Sequence, residues 1–194
     1  MSAFSRSIGG IIDDGERSIT DASGSGAFAT RACTEELDAT MEREIISASS
    51  DGDSVGGVVE CITTGLPIGF GGIWFEALDS EIAGAVFSIP ACKGVEFGRG
   101  FGLAGMRGSE TNNMGGILGG MSDGAPMVFR AVFKPTPSIA KPQRTVDIET
   151  MKNAEVSVEG RHDPCIVPRA VSVVEAVTAL VLADQMMRDP GRSV

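Results

Sequence analysis

The sequence predicts an α+β fold in which antiparallel sheets pack against buried helices. The run PMVFRAVFK alternates between two faces with a period of two residues, which is typical of a strand with one buried side. The runs TEELDATMEREIISAS and IWFEALDSEIAGAVF instead repeat apolar residues at helical spacing. An apolar stretch from about Pro168 to Arg188 predicts a long buried helix near the end of the chain. Strands and helices of these kinds fit a layered α+β architecture.

The first half of the chain predicts strands and helices in alternation. Residues 3–12 predict a strand, and the Ser-, Gly- and Asp-rich stretch that follows as far as Ala29 predicts a loop. Thr34 is a suitable N-cap for the next helix, whose first turn is acidic. The apolar positions of that helix are Leu37, Met41 and Ile45. VGGVVECITT predicts a second strand, and the helix after it has apolar positions at Ile73, Ala77, Leu78, Ile82 and Ala85.

The second half of the chain predicts three strands and the final helix. The first of these strands ends at Lys134, and after a proline-rich loop the runs RTVDIET and NAEVSVEG predict two shorter strands. Proline is tolerated in the first turn of a helix, so Pro168 is compatible with a helix start there. No linker, heptad or short repeat divides the chain, and residues 1–194 are expected to form a single domain.

The composition argues against several classes of function. Asp and Glu outnumber Lys and Arg by 26 to 16, and the net charge of −10 argues against a groove for nucleic-acid phosphates. The four cysteines form no CxxC pair and have no histidine at zinc-site spacing, so we expect reduced thiols in the cytoplasm and no metal site. No signal peptide is apparent, and the final helix, with Glu175 and Asp184, is expected to be too short to span a membrane.

The only histidine of the chain, His162, lies between Arg161 and Asp163 just before the final helix. No GxSxG turn supplies a serine for a Ser-His-Asp triad, and one histidine beside one aspartate does not make a metal site. Two interpretations remain. One is a structural hydrogen bond, and the other is anion binding by Arg161 with proton transfer by His162 or Asp163.

Two further segments allow both a structural and a functional interpretation. Residues 111–124 contain five glycines, which either form a tight turn with bulges or let a flat ligand approach the backbone. This stretch has neither the GxGxxG nor the GK[ST] spacing of nucleotide-binding loops. KPTPSI, residues 134–139, offers a lysine and two hydroxyls, which suit a phosphate cradle as well as an ordinary strand exit.

Five segments, in this order, resemble the chorismate synthase family: GDSVGGVVE, SIPACKGVEFG, TNNMGGILGG, KPTPSI and GRHDPCIVPRAVSVVEA. The similarity extends from about Ser7 to the last helix and corresponds to the C-terminal half of that family. It implies a partial form of the family's β-α-β sandwich, in which helices lie between antiparallel sheets. It also implies that the family's N-terminal half, with its histidine acid/base groups and several substrate-binding arginines, is not part of this chain.

The resemblance implies that the chain is a chorismate synthase, a phosphate lyase of the shikimate pathway to aromatic amino acids. The family converts 5-enolpyruvylshikimate 3-phosphate to chorismate and phosphate by a 1,4-anti elimination that requires reduced FMN. NADPH is expected only as an external reductant of the flavin. A homotetramer is expected of the full-length family, and a separate N-terminal half is a further expected partner. Nucleic acids and membranes are not expected as partners.

The resemblance also implies roles for individual residues. Those expected to bind FMN are Ala91, Gly119, Lys134, Thr136, Pro137, Ser138 and Arg161. Arg161 is also expected to bind the substrate, because a guanidinium pairs with an anionic group and keeps its charge. Asp163 is expected to be the catalytic carboxylate that helps move the proton released from the substrate, with His162 as its scaffold.

The loop sequence and the length of the similarity leave alternatives open. The family commonly has Ser where this chain has Pro137, which removes a hydroxyl and a backbone N–H and is expected to lower the affinity for FMN. The resemblance predicts activity only when the N-terminal half is supplied. The alternatives are a catalytically inactive flavin-binding fragment, and a truncated product with exposed core that aggregates.

Overall fold

A five-stranded sheet forms the centre of the structure, a computed structural model that describes residues 1–110, 112–160 and 162–188. Its strands are β1 (Ser2–Ile8), β2 (Ile11–Ile12), β3 (Gly57–Thr63), β4 (Cys92–Phe97) and β7 (Met127–Phe133). Their order across the sheet is β2-β1-β3-β7-β4. Two separate hairpins consist of β5 (Ile117–Leu118) with β6 (Met121–Ser122) and β8 (Gln143–Asp147) with β9 (Lys152–Val156). All these pairings are antiparallel, which confirms the predicted sheet type.

Four helices surround the sheet: α1 (Ile19–Gly24), α2 (Glu35–Ser50), α3 (Leu78–Phe87) and α4 (Val167–Arg188). The long helix α4 packs against β1, β3 and α3. Helix α3 links β3 to β4, and these two strands lie on either side of β7. The chain therefore returns over one face of the sheet between β3 and β4, and the predicted combination of helices and antiparallel strands is confirmed.

The core lies between the sheet and the helices α3 and α4. The alternation of β7 is confirmed, because its buried positions are Met127, Phe129, Ala131 and Phe133. From the helices, the core receives Leu78, Ile82, Val86, Val171 and Val174. Burial of each large apolar side chain contributes about 1.5–3 kcal/mol to folding. On the opposite face of the sheet, α1 covers Phe4 and Ile62 with Ala22.

Two predictions for the first thirty residues are wrong in detail. The predicted strand over residues 3–12 is a hairpin, because Gly9 and Gly10 adopt positive φ angles of 57° and 94° and reverse the chain. The predicted loop as far as Ala29 contains α1, which begins with a reciprocal capping box between Ser18 and Asp21. The cap is readable in the sequence, but the helix has only six residues and gives a weak periodic pattern.

Helix α3 is shorter at its start than the apolar spacing predicts. The apolar spacing begins at Ile73, whereas the helix begins at Leu78 after a short 3₁₀ turn over residues 74–76. Trp74 has a φ of 58°, and Ala77 is extended, so residues 73–77 do not extend the α-helix that begins at Leu78. The other predicted elements are confirmed, and Thr34 caps α2 by accepting a hydrogen bond from the Leu37 N–H at 3.3 Å.

The final helix was expected to be too short to span a membrane, and this expectation is wrong. Among the described residues, one helix, the 22-residue α4, is long and apolar enough to cross a membrane by length and composition. The core helix of a soluble protein meets the same two criteria. In this fold α4 buries one side, including Val167, Val171 and Val174, against the sheet.

Candidate active site

Two of the residues expected to bind FMN meet where β4 begins and β7 ends. Cys92 of β4 is paired with Phe133 of β7, and one step further the Lys134 N–H donates a hydrogen bond to the Ala91 carbonyl at 3.0 Å. Ala91 has a φ of 70°, a conformation that non-glycine residues adopt at a cost and that is concentrated at functional sites. The strand register therefore brings Ala91 and Lys134 together.

The Lys134 loop, residues 134–141, is held from outside. Its two prolines, Pro135 and Pro137, have no N–H to donate, which limits the hydrogen bonds that the loop can form within itself. Side chains from elsewhere donate instead. The Ser54 hydroxyl donates to the Thr136 carbonyl at 2.7 Å, and the Gln143 amide donates to the Pro137 carbonyl at 2.9 Å. The middle of the loop is thus held through its carbonyl groups, and its ends are held by the backbone N–H groups of Lys134 and Lys141.

The side chains of the Lys134 loop keep donors available. Within the described residues, the hydroxyls of Thr136 and Ser138 have no hydrogen-bond partner. The Lys134 ammonium makes one long contact, of 3.5 Å, with the Pro135 carbonyl, and no carboxylate of the described residues lies within 4.0 Å of it. A cation beside two free hydroxyls is a donor set that suits a phosphate group.

The Asp163 loop, residues 162–166, lies beside the Lys134 loop. The Val55 N–H donates to the Pro164 carbonyl at 2.8 Å, and the adjacent residue, Ser54, holds Thr136. Two neighbouring residues of one segment therefore bind both loops. This arrangement places the loop that carries the predicted catalytic carboxylate beside the loop that carries the predicted phosphate-binding donors.

Asp163 has an ion-pair partner that the sequence did not reveal. Its Oδ2 lies 2.8 Å from Nη1 of Arg169, in the first turns of α4, and the Asp163 side chain is 23% exposed whereas that of Arg169 is 79% exposed. The exposed guanidinium orients the carboxylate without removing it from solvent. Asp163 and Arg169 are six residues apart in one motif, which was the only hint of this pair in the sequence. The spacing does not predict an ion pair unless the residue at which α4 begins is known.

His162 makes a structural contact. Its Nε2 lies 2.6 Å from the Val158 carbonyl, and the Val158 N–H in turn donates to the Ile139 carbonyl at 3.0 Å. The ring nitrogen next to a carbonyl oxygen is the donor, so the Nε2 position carries the proton. This chain of contacts ties the Asp163 loop to the end of the Lys134 loop, and the predicted scaffold role of His162 stays a prediction. Arg161 lies outside the described residues.

Gly119 lies apart from the other predicted residues. It forms the turn between β5 and β6 with Gly120, whose carbonyl accepts the N–H of Leu78 at the start of α3. Ala91 follows the opposite end of α3, and a ten-residue helix is about 15 Å long. Gly119 is exposed, and a Cβ built on it meets nothing within 4 Å. The structure therefore joins Ala91 to Lys134 directly, sets the Asp163 loop beside the Lys134 loop through Ser54 and Val55, and places the Gly119 turn at the opposite end of α3 from Ala91.

The segment DGDSVG, residues 51–56, makes contacts in this site that its resemblance to the family did not indicate. Besides Ser54 and Val55, it contributes Asp51 and Asp53, which pair with Lys141 at the far end of the Lys134 loop. The hydrogen bond from the Ser54 N–H, followed by that from Lys141, lowers the pKa of Asp53. The pKa of Lys141 is raised, mainly by its hydrogen bond with Asp51 and then by that with Asp53. The segment thus contacts both ends of the loop.

Cys165 lies in the Asp163 loop but is not suited to nucleophilic chemistry. It is one of four free cysteines, which agrees with the prediction of unpaired thiols. Burial raises the pKa of Cys165 to about 11, so the thiolate is scarce near neutral pH. The thiol of Cys165 is therefore a poor acid/base group near neutral pH.

Concave shape does not mark this site. An open concavity of about 620 Å³ runs along the β8-β9 hairpin, between Arg144 and Glu155. A second one, of about 200 Å³, lies on the sheet surface between β4 and β7, beside Arg130. Both are lined by residues outside the three loop segments. The donors left unpaired, and not the surface shape, single out the Lys134 loop.

The chain is similar to chorismate synthases in sequence and in fold. The profile of the chorismate synthase family matches residues 2–187. A chorismate synthase of Korarchaeum cryptofilum is 50% identical over 173 residues, which cover 81% of this chain and 48% of that protein. One of Archaeoglobus fulgidus is 58% identical over 153 residues, which cover 71% of this chain and 42% of that protein. A crystal structure of a chorismate synthase has a TM-score of 0.77 at 29% identity, over 97% of this chain and 57% of its own.

The similarity has a definite extent. The chain spans about half the length of the curated relatives that it matches. Within that span nearly all of the chain takes part, because the family profile begins at residue 2 and ends inside the last turns of α4. The segments that form the candidate site, residues 51–56, 134–141 and 162–166, all lie inside the matched range.

Proposed function

Because this chain belongs to the chorismate synthase family, we propose that it carries the family's activity on 5-enolpyruvylshikimate 3-phosphate, with chorismate and phosphate as products. The observation that supports the proposal most directly is the junction of two loops. Ser54 and Val55 donate to the carbonyls of Thr136 and Pro164, so that the loop with unpaired donors lies beside the loop that carries Asp163. An active site for a phosphorylated substrate and a phosphorylated cofactor needs such donors beside a group that accepts a proton.

The donor set fits FMN as the cofactor. Lys134 provides a positive charge for the cofactor phosphate, and the hydroxyls of Thr136 and Ser138 provide hydrogen bonds that nothing in the described chain uses. Ala91 contributes backbone held at positive φ, and Pro137 stiffens the loop. The chemistry that reduced FMN supplies is a transient electron for cleavage of the C–O bond, which returns when the elimination is complete.

Two further residues are part of the proposal. Gly119 contributes the exposed turn at the start of α3, where no side chain obstructs a ligand. Arg161, next to His162 in the sequence, contributes a permanent positive charge to the flavin and the substrate. Both extend the set of contacts beyond the Lys134 loop.

Asp163 accepts the proton that the elimination releases. The 1,4-elimination breaks one C–O bond, which frees phosphate, and one C–H bond, which frees a proton that needs an acceptor. A carboxylate is an acceptor of the right type, and Arg169 fixes its orientation through the 2.8 Å ion pair. Arg161 supplies the positive charge that stabilises the departing phosphate, which carries negative charge.

The wider proposals follow from the family and from the composition. Residues 1–194 form one domain that corresponds to the C-terminal half of the family, and the assembled enzyme is a homotetramer in the cytoplasm. Four free cysteines support a reducing compartment. The net charge of −10 supports the absence of nucleic-acid partners. NADPH serves only as an external reductant of the flavin.

The test is an anaerobic assay for chorismate with chemically reduced FMN. The chain is assayed alone and mixed with the N-terminal half of the 58% identical Archaeoglobus fulgidus protein. We expect chorismate in at least one sample, with loss of activity in Asp163→Ala and no loss in Asp184→Ala, which removes an exposed carboxylate of α4. If a folded chain gives no chorismate in either sample, the proposed activity is wrong.

A further inference from the structure

We infer that Ser54 is a positioning residue, which orders the Lys134 loop for cofactor binding and couples it to the Asp163 loop. The expected effect on FMN binding rests on the proposed function. The ordering of the Lys134 loop by Ser54 rests on the observed contacts alone. Ser54 belongs to the DGDSVG segment and touches neither the free donors of the loop nor the carboxylate of Asp163. It acts through the backbone of Thr136.

The first step of the argument is the position of the Ser54 side chain. Ser54 is 9% exposed, and its hydroxyl donates to the Thr136 carbonyl at 2.7 Å across 82 residues of sequence. The hydroxyl is therefore a nearly buried donor with a carbonyl partner, and water has little access to replace it.

The second step is the lack of alternatives within the loop. Thr136 lies between Pro135 and Pro137, neither of which has an N–H to donate. A loop with few backbone donors needs donors from other segments to fix its conformation. Gln143 supplies one at Pro137 on the exposed side, and Ser54 supplies the one on the inner side. Loss of the Ser54 hydroxyl removes the donor of the Thr136 carbonyl, whereas the donors of the Ile139 and Ala140 carbonyls, from Val158 and Ser157, lie further along the loop.

The third step is the neighbourhood of Ser54. The next residue, Val55, donates to Pro164 at 2.8 Å. Gly56 lies so close to the same strand exit that an added Cβ would come within 2.4 Å of the Phe133 carbonyl oxygen. Three consecutive residues therefore contact the Lys134 loop, the Asp163 loop and the end of β7. A displacement of Ser54 would therefore change the positions of both the Lys134 loop and the Asp163 loop.

The experiment compares the full chain with Ser54→Ala, Ser54→Thr and Ser50→Ala. Ser54→Thr keeps the hydroxyl, and Ser50→Ala removes a hydroxyl that donates to the Ile46 carbonyl at 2.8 Å within α2 and not to either loop. Far-UV circular dichroism and thermal unfolding establish that each variant is folded. Hydrogen exchange of the chain without FMN is then measured by mass spectrometry, and affinity for oxidised FMN by quenching of flavin fluorescence.

For Ser54→Ala, we expect exchange to rise about tenfold in the peptide that covers residues 134–141, since one buried hydrogen bond is lost. We expect the affinity for FMN to fall about tenfold, because the loop must be ordered again on binding. Ser54→Thr and Ser50→Ala should both match the unmodified chain in these two measurements. A global rise in exchange over the whole sheet would instead show general destabilisation and would overturn the positioning role.

The two readouts separate this inference from the proposed function. Unchanged exchange in residues 134–141 of a folded Ser54→Ala variant overturns the inference, whatever happens to FMN binding. If the unmodified chain binds no FMN although the exchange of the variant rises locally, the ordering of the loop by Ser54 stands and the flavin assignment fails.

Discussion

The glycine run, residues 115–124, and the Lys134 loop both carry the features of a binding loop in the sequence, but they differ in what they leave available. In the glycine run, the absence of a Cβ allows the backbone to pack closely against other parts of the chain. A Cβ on Gly115 would lie 2.4 Å from the Gly98 nitrogen, and one on Gly116 would lie 2.5 Å from the Pro126 oxygen. In the Lys134 loop, the ammonium and two hydroxyls are unused by the described chain. Unpaired donors therefore identify a candidate binding loop better than glycine content does.

The two regions also differ in how they are held. The Val128 N–H donates to the Gly115 carbonyl, and the Val128 carbonyl accepts the N–H of Gly98. The glycine run is therefore bonded directly to the start of β7. The Lys134 loop, at the other end of β7, has backbone bonds at its two ends, but its Thr136 and Pro137 carbonyls are held by the side chains of Ser54 and Gln143. The first region is part of the fold, and its substitution should change stability. The second region is adjustable, and its substitution should change binding.

Substitution in the glycine run is expected to have the largest effect. Gly116→Ala places a Cβ 2.5 Å from a backbone oxygen at a φ of 80°, and the buried backbone has little room to move. We expect the free energy of unfolding to fall by about 3 kcal/mol or more. Urea denaturation followed by circular dichroism measures this change. A loss below about 1 kcal/mol would show that the run is not fixed by packing.

Removal of the cation from the Lys134 loop is expected to change binding and not stability. Lys134→Ala should weaken FMN affinity roughly 10- to 100-fold, the amount expected for a hydrogen bond between charged groups. The free energy of unfolding should change by about 0.5 kcal/mol or less, because the ammonium has no carboxylate partner in the described chain. Lys93→Ala, an exposed position on β4, is the control. Equal affinities of both variants would contradict the phosphate-binding role.

Gly119→Ala tests the one exposed glycine of the run at which nothing obstructs a side chain. Its φ of 62° is unfavourable for alanine, but its Cβ meets no atom within 4 Å. We expect a loss of about 1 kcal/mol in the free energy of unfolding, much less than for Gly116→Ala. Denaturation measures this part, and fluorescence titration measures FMN affinity. A weaker affinity at this small cost in stability would assign Gly119 to the binding site, and an unchanged affinity would assign it to the turn alone.

The ion pair between Asp163 and Arg169 is expected to give the smallest effect on stability. Because the Arg169 side chain is 79% exposed, Arg169→Ala should lower the free energy of unfolding by less than about 1 kcal/mol. Turnover should nevertheless fall about tenfold if the guanidinium orients the carboxylate, with partial recovery in Arg169→Lys. The measurement is kcat and KM for chorismate formation in the assembled enzyme. A change confined to KM would place Arg169 in substrate binding instead.

The elements of the fold were largely predictable because their patterns are local. The alternation of β7, the cap of α2 and the apolar length of α4 are each contained in one stretch of sequence. The misses are also local in origin. The pattern over residues 3–12 does not show that Gly9 and Gly10 reverse the chain. The apolar spacing that begins at Ile73 likewise does not show that Trp74 adopts a positive φ.

The candidate site was predictable only through its motifs. The similarity of five segments to one family indicated Lys134, Thr136, Ser138 and Asp163. The contacts that connect them were not readable, because Ser54 and Thr136 are 82 residues apart, and Val55 and Pro164 further still. Gly119 is the opposite case, because its motif lies close to KPTPSI in the sequence. Its turn contacts the start of α3, whereas Ala91, which bonds to Lys134, follows the end of that helix.

By itself the sequence determined which segments become strands and helices, which faces are apolar, and which family the chain resembles. Tertiary structure alone decided that Ala91 meets Lys134, that Ser54 and Val55 hold two loops together, and that Arg169 pairs with Asp163. The physical reason is the range of the interactions. Hydrophobic periodicity and capping act within a few turns, whereas contacts between loops depend on the register of β4 and β7 and on the crossover of α3.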